Sequence, residues 1–297
     1  MVLGGNHDQV PYIQELKDRG FWIALTDLNG DAPGRIYADA FKRVGYEDVP
    51  GLLEFADDLG ISSDDSIFTA AAQFAHIGAA SVAAKYGITY PSVDVIETCL
   101  DKTLFYPAFA KHDIPIPETL VVESADDLKN YSEKIEPLSL YYLKSDFSKN
   151  PNYIYRFKGR DCNPSEYFWG RDRYLRNAYV LQKEFLGRHL RLNLMPGRAV
   201  LYDFSTNESL SISESNQILS DHDILIKLDS FLKHSELNSW LTKFDIIVNP
   251  SGWVALDIGL DPPSRMICEY KKKGCDFTKK YISLYLDKIS FFSFTKL

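Results

Sequence analysis

Apolar residues fall into short runs broken by polar punctuation from the first positions of the chain. Val2-Leu3 runs into Gly4-Gly5-Asn6-His7-Asp8, and Val10, Ile13 and Leu16 then recur at helical spacing up to Gly20. Residues 21–25 form a continuous apolar stretch of strand length that ends at Asp27. Strand, glycine turn, helix and strand with a terminal acid make a βαβ beginning, the right-handed unit of a parallel sheet. The alternation continues through a helix over 52–59, a short strand over 67–71 and an alanine-rich helix over 75–86.

The pattern then changes. A single helix is predicted over 95–112, carrying Asp101-Lys102 and stopped by Ile114-Pro115-Ile116-Pro117, whose prolines hold the chain extended. A strand over 120–122 leads to a helix capped by Ser124, with Asp127 three residues on. Strands follow over 138–144 and 152–157, a helix over 163–176, and β runs over 179–185, 189–195 and 198–204, the last two joined by Pro196-Gly197. From Lys271 the tail reads as one or two helices with a basic face, and no internal repeat is visible. These patterns place a boundary near residue 95. A Rossmann-like parallel-sheet α/β domain (1–95) precedes an antiparallel α+β body (96–297).

Composition narrows the function classes. A chain of 297 residues with 45% apolar and 25% charged positions is globular, with material for two domains. Thirty-three basic against 41 acidic residues give a net charge of −8, which argues against a nucleic-acid partner but leaves room for a local basic cleft. No apolar run approaches the roughly 20 residues of a spanning helix, and the opening residues are not a signal peptide. Cys99, Cys162, Cys268 and Cys275 form no Cys-x-x-Cys pair and read as reduced core thiols. The expectation is a cytoplasmic protein with neither nucleic-acid nor membrane partners.

The most informative stretch is 243–258. Two β runs flank Asn249-Pro250-Ser251-Gly252, which suits a three-residue hairpin loop with Gly252 in the left-handed position. That loop sets Asn249 opposite Trp253, Ile247 opposite Ala255 and Asp245 opposite Asp257, with Ile246, Val248, Val254, Leu256 and Ile258 on one apolar face. The two carboxylates then lie roughly 5 Å apart at their β-carbons and repel unless a cation joins them. A hard divalent ion shared with substrate phosphates is one answer. Two solvated aspartates on a wet face is the other.

At this point the ordered residues resemble the ATP-grasp ligases, a family that includes D-alanine–D-alanine ligase, biotin carboxylase and the lysine-adding ligase of pyrrolysine biosynthesis. Its members end in Glu-x-Asn-Pro-Arg or Glu-Ile-Asp-Ala-Arg-Leu-Pro-Ser. This chain has Asp257-Ile258-Gly259-Leu260-Asp261-Pro262-Pro263-Ser264-Arg265. The resemblance implies an ATP-grasp fold over 96–297, with a lid subdomain (115–180) and an antiparallel-sheet C-terminal catalytic subdomain (181–297). It implies ATP and Mg²⁺ as cofactors, with Asp245 and Asp257 on the metal. Lys102 and Lys144 become the nucleotide lysines, and Lys183, Glu184, Phe185 and Leu186 the adenine hinge. His189 then lies near the ribose and Arg191 near the terminal phosphates. Lys243 becomes the basic catalytic group, and Arg265 either binds a substrate carboxylate or caps Asp261.

The implied reaction activates a carboxylate as an acyl phosphate and couples it to an amine, releasing ADP and phosphate, with a homodimer as the default assembly. Three departures feed a rival reading, a nucleotide-binding regulatory or scaffold protein. Gly259 replaces a metal ligand, 145–150 lacks a glycine-rich phosphate loop, and His189 stands where relatives often have an acid. A dinucleotide site at Gly4-Gly5 with Asp27 on a ribose lacks the full Gly-x-Gly-x-x-Gly fingerprint. Asp8 is either a helix cap or a group facing substrate.

Overall fold

Residues whose side chains must be buried on both sides build the first sheet. The structure, a computed structural model, describes residues 1–145, 154–163, 178–195, 198–206, 208–262 and 276–287. Strands β1 (Val2–Leu3), β2 (Ala24–Thr26), β3 (Ala40–Lys42) and β4 (Phe68–Thr69) pair in parallel in the order β3-β2-β1-β4. Successive residues alternate between two cores. Leu3 and Ile67 pack with Leu52, Phe55 and Val82, from helices α2 (Val49–Leu59) and α3 (Ala75–Tyr86). Val2 and Phe68 pack with Tyr12, Ile13 and Leu16 of α1 (Val10–Asp18) on the other face. That second core also takes in Met195, Tyr202 and Leu241 from the body, so the two halves of the chain share apolar contacts.

The predicted strand over 21–25 begins later, at Ala24, because Phe21 and Trp22 are 39% and 58% exposed. Strand β3 and a short 3-10 turn at Pro33–Tyr37 had no clear hydrophobic signature. The predicted single helix over 95–112 is two helices, α4 (Val93–Leu100) and α5 (Lys102–Lys111). Asp101 breaks them. Its backbone is extended, and its Oδ1 accepts from the N–H (2.8 Å) and the hydroxyl (2.6 Å) of Thr103, capping the second helix. Ser124 caps α6 (Ala125–Ser132) as expected, accepting from Asp127 N–H at 3.1 Å.

Two antiparallel sheets complete the body. One has the order β5-β8-β6-β7, from Thr119–Val122, Tyr179–Lys183, Leu140–Ser145 and Ile154–Lys158. Tyr141 and Leu143 face a core with Leu128 of α6, while Tyr142 and Lys144 face away from it. Strand β8 straddles residue 180, so this sheet extends into the segment that follows the 115–180 stretch. The other sheet has the order β10-β9-β11-β12, from Arg198–Asp203, Arg188–Met195, Thr242–Asn249 and Gly252–Gly259. Leu190, Leu192, Phe244, Ile246 and Ile258 cover its apolar face and pack on Phe105 and Phe109 of α5. The same core takes in Leu219 of α7 (Ile212–Asp221) and Leu228 and Phe231 of α8 (Ile224–His234). The expected helix over 163–176 and the Pro196-Gly197 link lie outside the described residues, apart from Asn163. The tail contributes α9 (Phe277–Asp287), which packs on α1.

Gly78 shows how tightly α2 and α3 meet, since a Cβ there would overlap the carbonyl oxygen of Tyr46 and sit 2.8 Å from Leu52 Cδ1. Helix propensity favours alanine over glycine by about 1 kcal/mol. Gly78→Ala should nonetheless destabilise the protein, by about 1–3 kcal/mol, because a backbone atom cannot yield as a side chain does. Urea denaturation of the variant checks the sign.

Candidate functional site

The register of β9, β11 and β12 decides which groups meet. Asp245 pairs with Asp257 as predicted, but by a different route. The turn at Pro250-Ser251 is one residue shorter than expected, pairing Asn249 with Gly252, Ile247 with Val254 and Ile246 with Ala255. A bulge then leaves Leu256 unpaired, and the register beyond it brings Asp257 back opposite Asp245. Val254 and Leu256 therefore leave the predicted apolar face, which is made instead by Phe244, Ile246, Val248, Trp253, Ala255 and Ile258. Gly252 adopts φ 149°.

The polar face of this sheet is a two-by-three array. Arg191 lies opposite Asp245, and Asp245 opposite Asp257; Asn193 lies opposite Lys243, and Lys243 opposite Gly259. Arg191 grips Asp245 with two hydrogen bonds, Nε to Oδ1 at 2.7 Å and Nη2 to Oδ2 at 2.9 Å. The cation beside the opposed carboxylates is thus, at Asp245, a guanidinium. Asp257 makes no ion pair among the described residues; its Oδ1 accepts only from the N–H of Ile258, at 3.0 Å. Among the described residues no three His, Cys, Asp or Glu side chains converge as a metal cage. One carboxylate together with substrate phosphates and water suits a single Mg²⁺. Asp257 fits that role, whereas Asp245 is committed to Arg191.

A cavity of about 390 Å³ lies beside this array, between the inner face of the β5-β8-β6-β7 sheet and the hairpin. Pro117, Ile154, Phe185, Leu186, Ile247 and Leu256 give it apolar walls, and Lys144, Gln182, Lys183, Glu184 and His189 add polar groups. Six of the eight predicted nucleotide residues line it: Lys144, Lys183, Glu184, Phe185, Leu186 and His189. Lys183, however, points its ammonium at Glu136 (2.6 Å). Glu184 is held by the Tyr142 hydroxyl and by Arg156, both at 2.8 Å. The backbone N–H groups of Phe185 and Leu186 make no hydrogen bond among the described residues, while the Leu186 carbonyl accepts from Asn249 at 2.7 Å. The His189 ring stacks on Phe204 with centroids 3.9 Å apart, its Nε2 is buried without a partner, and burial lowers its pKa.

Lys144 is the strongest anion candidate. Burial, and then the neighbouring charge of Lys102, lower its pKa to about 8, against the opposing pull of Asp257 and Asp245. Its ammonium donates to Gln182 Oε1 at 2.7 Å, and Gln182 Nε2 donates in turn to Thr119 Oγ1 at 2.9 Å. Lys102, at 8% exposure, is no solvated helix lysine; it opens α5 close to Lys144. Arg265 lies outside the described residues, as does the stretch after Ser145. Asp8 does not cap α1, whose N-cap position is Gln9. Asp27 closes its own loop by accepting from Gly5 and Asn29.

Four polar residues at or beside the site lie outside the predicted set of site residues. Gln182 is buried within an apolar strand, a signal that could have marked it. Gln73, also buried, donates from the first domain to the Ile258 carbonyl at 3.0 Å. Asp261, which stands where Glu-x-Asn-Pro-Arg carries its arginine, accepts from Lys243 at 2.6 Å. Asn193, 1% exposed, has no hydrogen-bond partner for either amide atom. A second cavity, of about 230 Å³, lies near Ile67, Tyr90, Trp240 and Tyr285, and none of the predicted site residues lines it.

Comparison of the whole fold with solved structures gives consistent neighbours. N5-carboxyaminoimidazole ribonucleotide synthetase from Thermotoga maritima superposes with a TM-score of 0.70 at 15% identity, over 97% of this chain and 76% of the other. The chain has the ATP-grasp fold. L-amino acid ligase from Bacillus licheniformis (TM-score 0.68, 11% identity, 95% and 72% covered) shares it. So does biotin carboxylase from Campylobacter jejuni in its β-γ-ATP complex (TM-score 0.67, 14% identity, 95% and 70% covered). No protein-family model matches the sequence, and no curated protein matches it. None of the described helices is long and apolar enough to cross a membrane.

The lowered pKa of Lys144 has a consequence for stability. Its native value of about 8 lies below the ordinary 10.5, so between these the unfolded chain binds more protons and stability rises with pH. The rise amounts to at most about 1.4 kcal/mol per pH unit. Lys144→Met should flatten it; equal slopes in denaturant titrations at pH 8 to 10 would refute the buried ammonium.

Proposed function

We propose that the protein is an ATP-dependent ligase that activates a carboxylate as its acyl phosphate and couples it to an amine, forming an amide with release of ADP and phosphate. The observation that carries this reading is the cavity ending at Lys144 beside the Arg191–Asp245 pair and Asp257. Its apolar walls suit a purine ring, the Phe185–Leu186 backbone offers donors for the base edge, and His189 lies toward the ribose. Lys102 and Lys144 would take the phosphate oxygens, and Asp257 would hold a Mg²⁺ whose chemistry there would be Lewis-acid polarisation of the phosphates.

The chain's own groups then manage charge. Arg191, fixed in orientation by Asp245, presents its remaining N–H donors to the terminal phosphate. Lys243 stabilises the negative charge that grows on the acyl oxygen as the amine attacks. A carboxylate is a poor electrophile until phosphoryl transfer turns it into a mixed anhydride, and excluding water protects that anhydride. The 1–95 domain, the 115–180 lid and the 181–297 catalytic subdomain would close around the two small-molecule substrates, in a cytoplasmic enzyme with a homodimer as the default assembly. The second reading, a nucleotide-binding scaffold, draws support from the single uncommitted carboxylate at Asp257. Nucleotide binding without turnover would favour it.

The experiment is ADP release from the purified protein with ATP, Mg²⁺ and a panel of amino acids and small carboxylic acids. Turnover is expected only when a carboxylate and an amine are both present. Asp257→Asn should reduce it by about 10²–10³ or more with little change in melting temperature. Wild-type turnover in that variant would remove Asp257 from the metal role.

A further inference from the structure

Position 259 is the one on the polar face next to Asp257, two residues along β12, and it lies opposite Lys243. A side chain there would be the natural second ligand for cations held at Asp257. The position is glycine, and its space is taken. A Cβ at 259 would overlap both Lys243 Cε and Gln73 Nε2, and would sit 2.9 Å from Lys243 Cγ. The lysine stem therefore lies across Gly259 and ends with its ammonium 2.6 Å from Asp261 Oδ2. Gln73 closes the other side, anchored on the Ile258 carbonyl.

We propose that the Lys243 ammonium, laid across Gly259 and oriented by Asp261, serves as the fixed second cation of the site, so that each bound nucleotide brings one divalent ion and not two. This rests on the ATP-dependent reading above. Among the described residues, Asp245 is neutralised by Arg191 and Asp261 by Lys243, leaving Asp257 as the only carboxylate of the array without a basic partner. Two divalent ions some 3.5–4 Å apart need ligands beyond one carboxylate. A second ion beside Asp257 would also meet the Lys243 charge at short range. The ammonium has three N–H donors, one on Asp261, so two remain for phosphate or acyl oxygens.

Two measurements test this. Mn²⁺ bound per chain is counted by electron paramagnetic resonance in the presence of a saturating non-hydrolysable ATP analogue. One ion supports the proposal and two overturn it. Calorimetry then compares Lys243→Met and Gly259→Ala with the native protein, after thermal melts have shown that each variant is folded. Both should bind the ATP analogue about ten- to a hundredfold more weakly while changing ADP affinity less than about threefold, the loss expected for hydrogen bonds to a charged group. Gly259→Ala acts because its methyl group displaces the lysine. Unchanged affinity for the analogue in Lys243→Met, or equal losses for both nucleotides, would overturn the proposal. If the native protein binds no nucleotide at all, the ligase reading itself fails. Nucleotide binding with two ions removes only the role given to Lys243.

Discussion

Two carboxylates forced to face each other across a hairpin are the constraint around which the β10-β9-β11-β12 sheet is arranged. Asp245 and Asp257 are fixed opposite each other by register, and no rotamer change takes them far apart. The fold answers with unequal partners. Asp245 receives a bidentate guanidinium from the adjacent strand, while Asp257 has no basic partner among the described residues. Arg191 thereby occupies the middle of a sheet whose other face is largely apolar.

The second sheet makes a comparable concession at Lys144. A half-buried lysine near a second lysine opposes stability, and the Gln182–Thr119 relay orients it without neutralising it. Its compensating carboxylates, Asp245 and Asp257, belong to the other sheet. Electrostatics therefore ties the two sheets together across the cavity, and an anion entering there would meet Lys144 and Lys102 without having to break an existing ion pair involving Lys144.

How much of this could be read from sequence differs by residue. The parallel start, helix 75–86, the Ser124 cap and the β runs near 180, 190 and 200 were visible because their periodicity is strong and their caps are local. The 21–25 run was misjudged because hydrophobicity alone does not tell a buried strand from an exposed Phe-Trp pair. The 95–112 break was missed because Asp101, an unremarkable helix residue by composition, acts through a hydrogen bond to Thr103. Asp245 facing Asp257 emerged correctly through two compensating errors, a turn one residue too long and no bulge. Gln73 and Asp261, which reach the Ile258 carbonyl and the Lys243 ammonium, are set by long-range packing, which leaves no mark in a single sequence.

The bulge at Leu256 has a consequence of its own. Because it absorbs one residue between the hairpin tip and the charged end, the tip and the acids keep separate registers. A lineage could lengthen or shorten the 249–252 turn by a matched pair of residues without swinging Asp257 into the core. Losing the single residue 256 would leave Ala255 and Asp257 as neighbours on opposite faces, a regular ladder with Asp257 still opposite Asp245. A change of one residue is thus absorbed at the bulge, where the pairs on either side keep their partners, and divergence in the length of this hairpin would be channelled there.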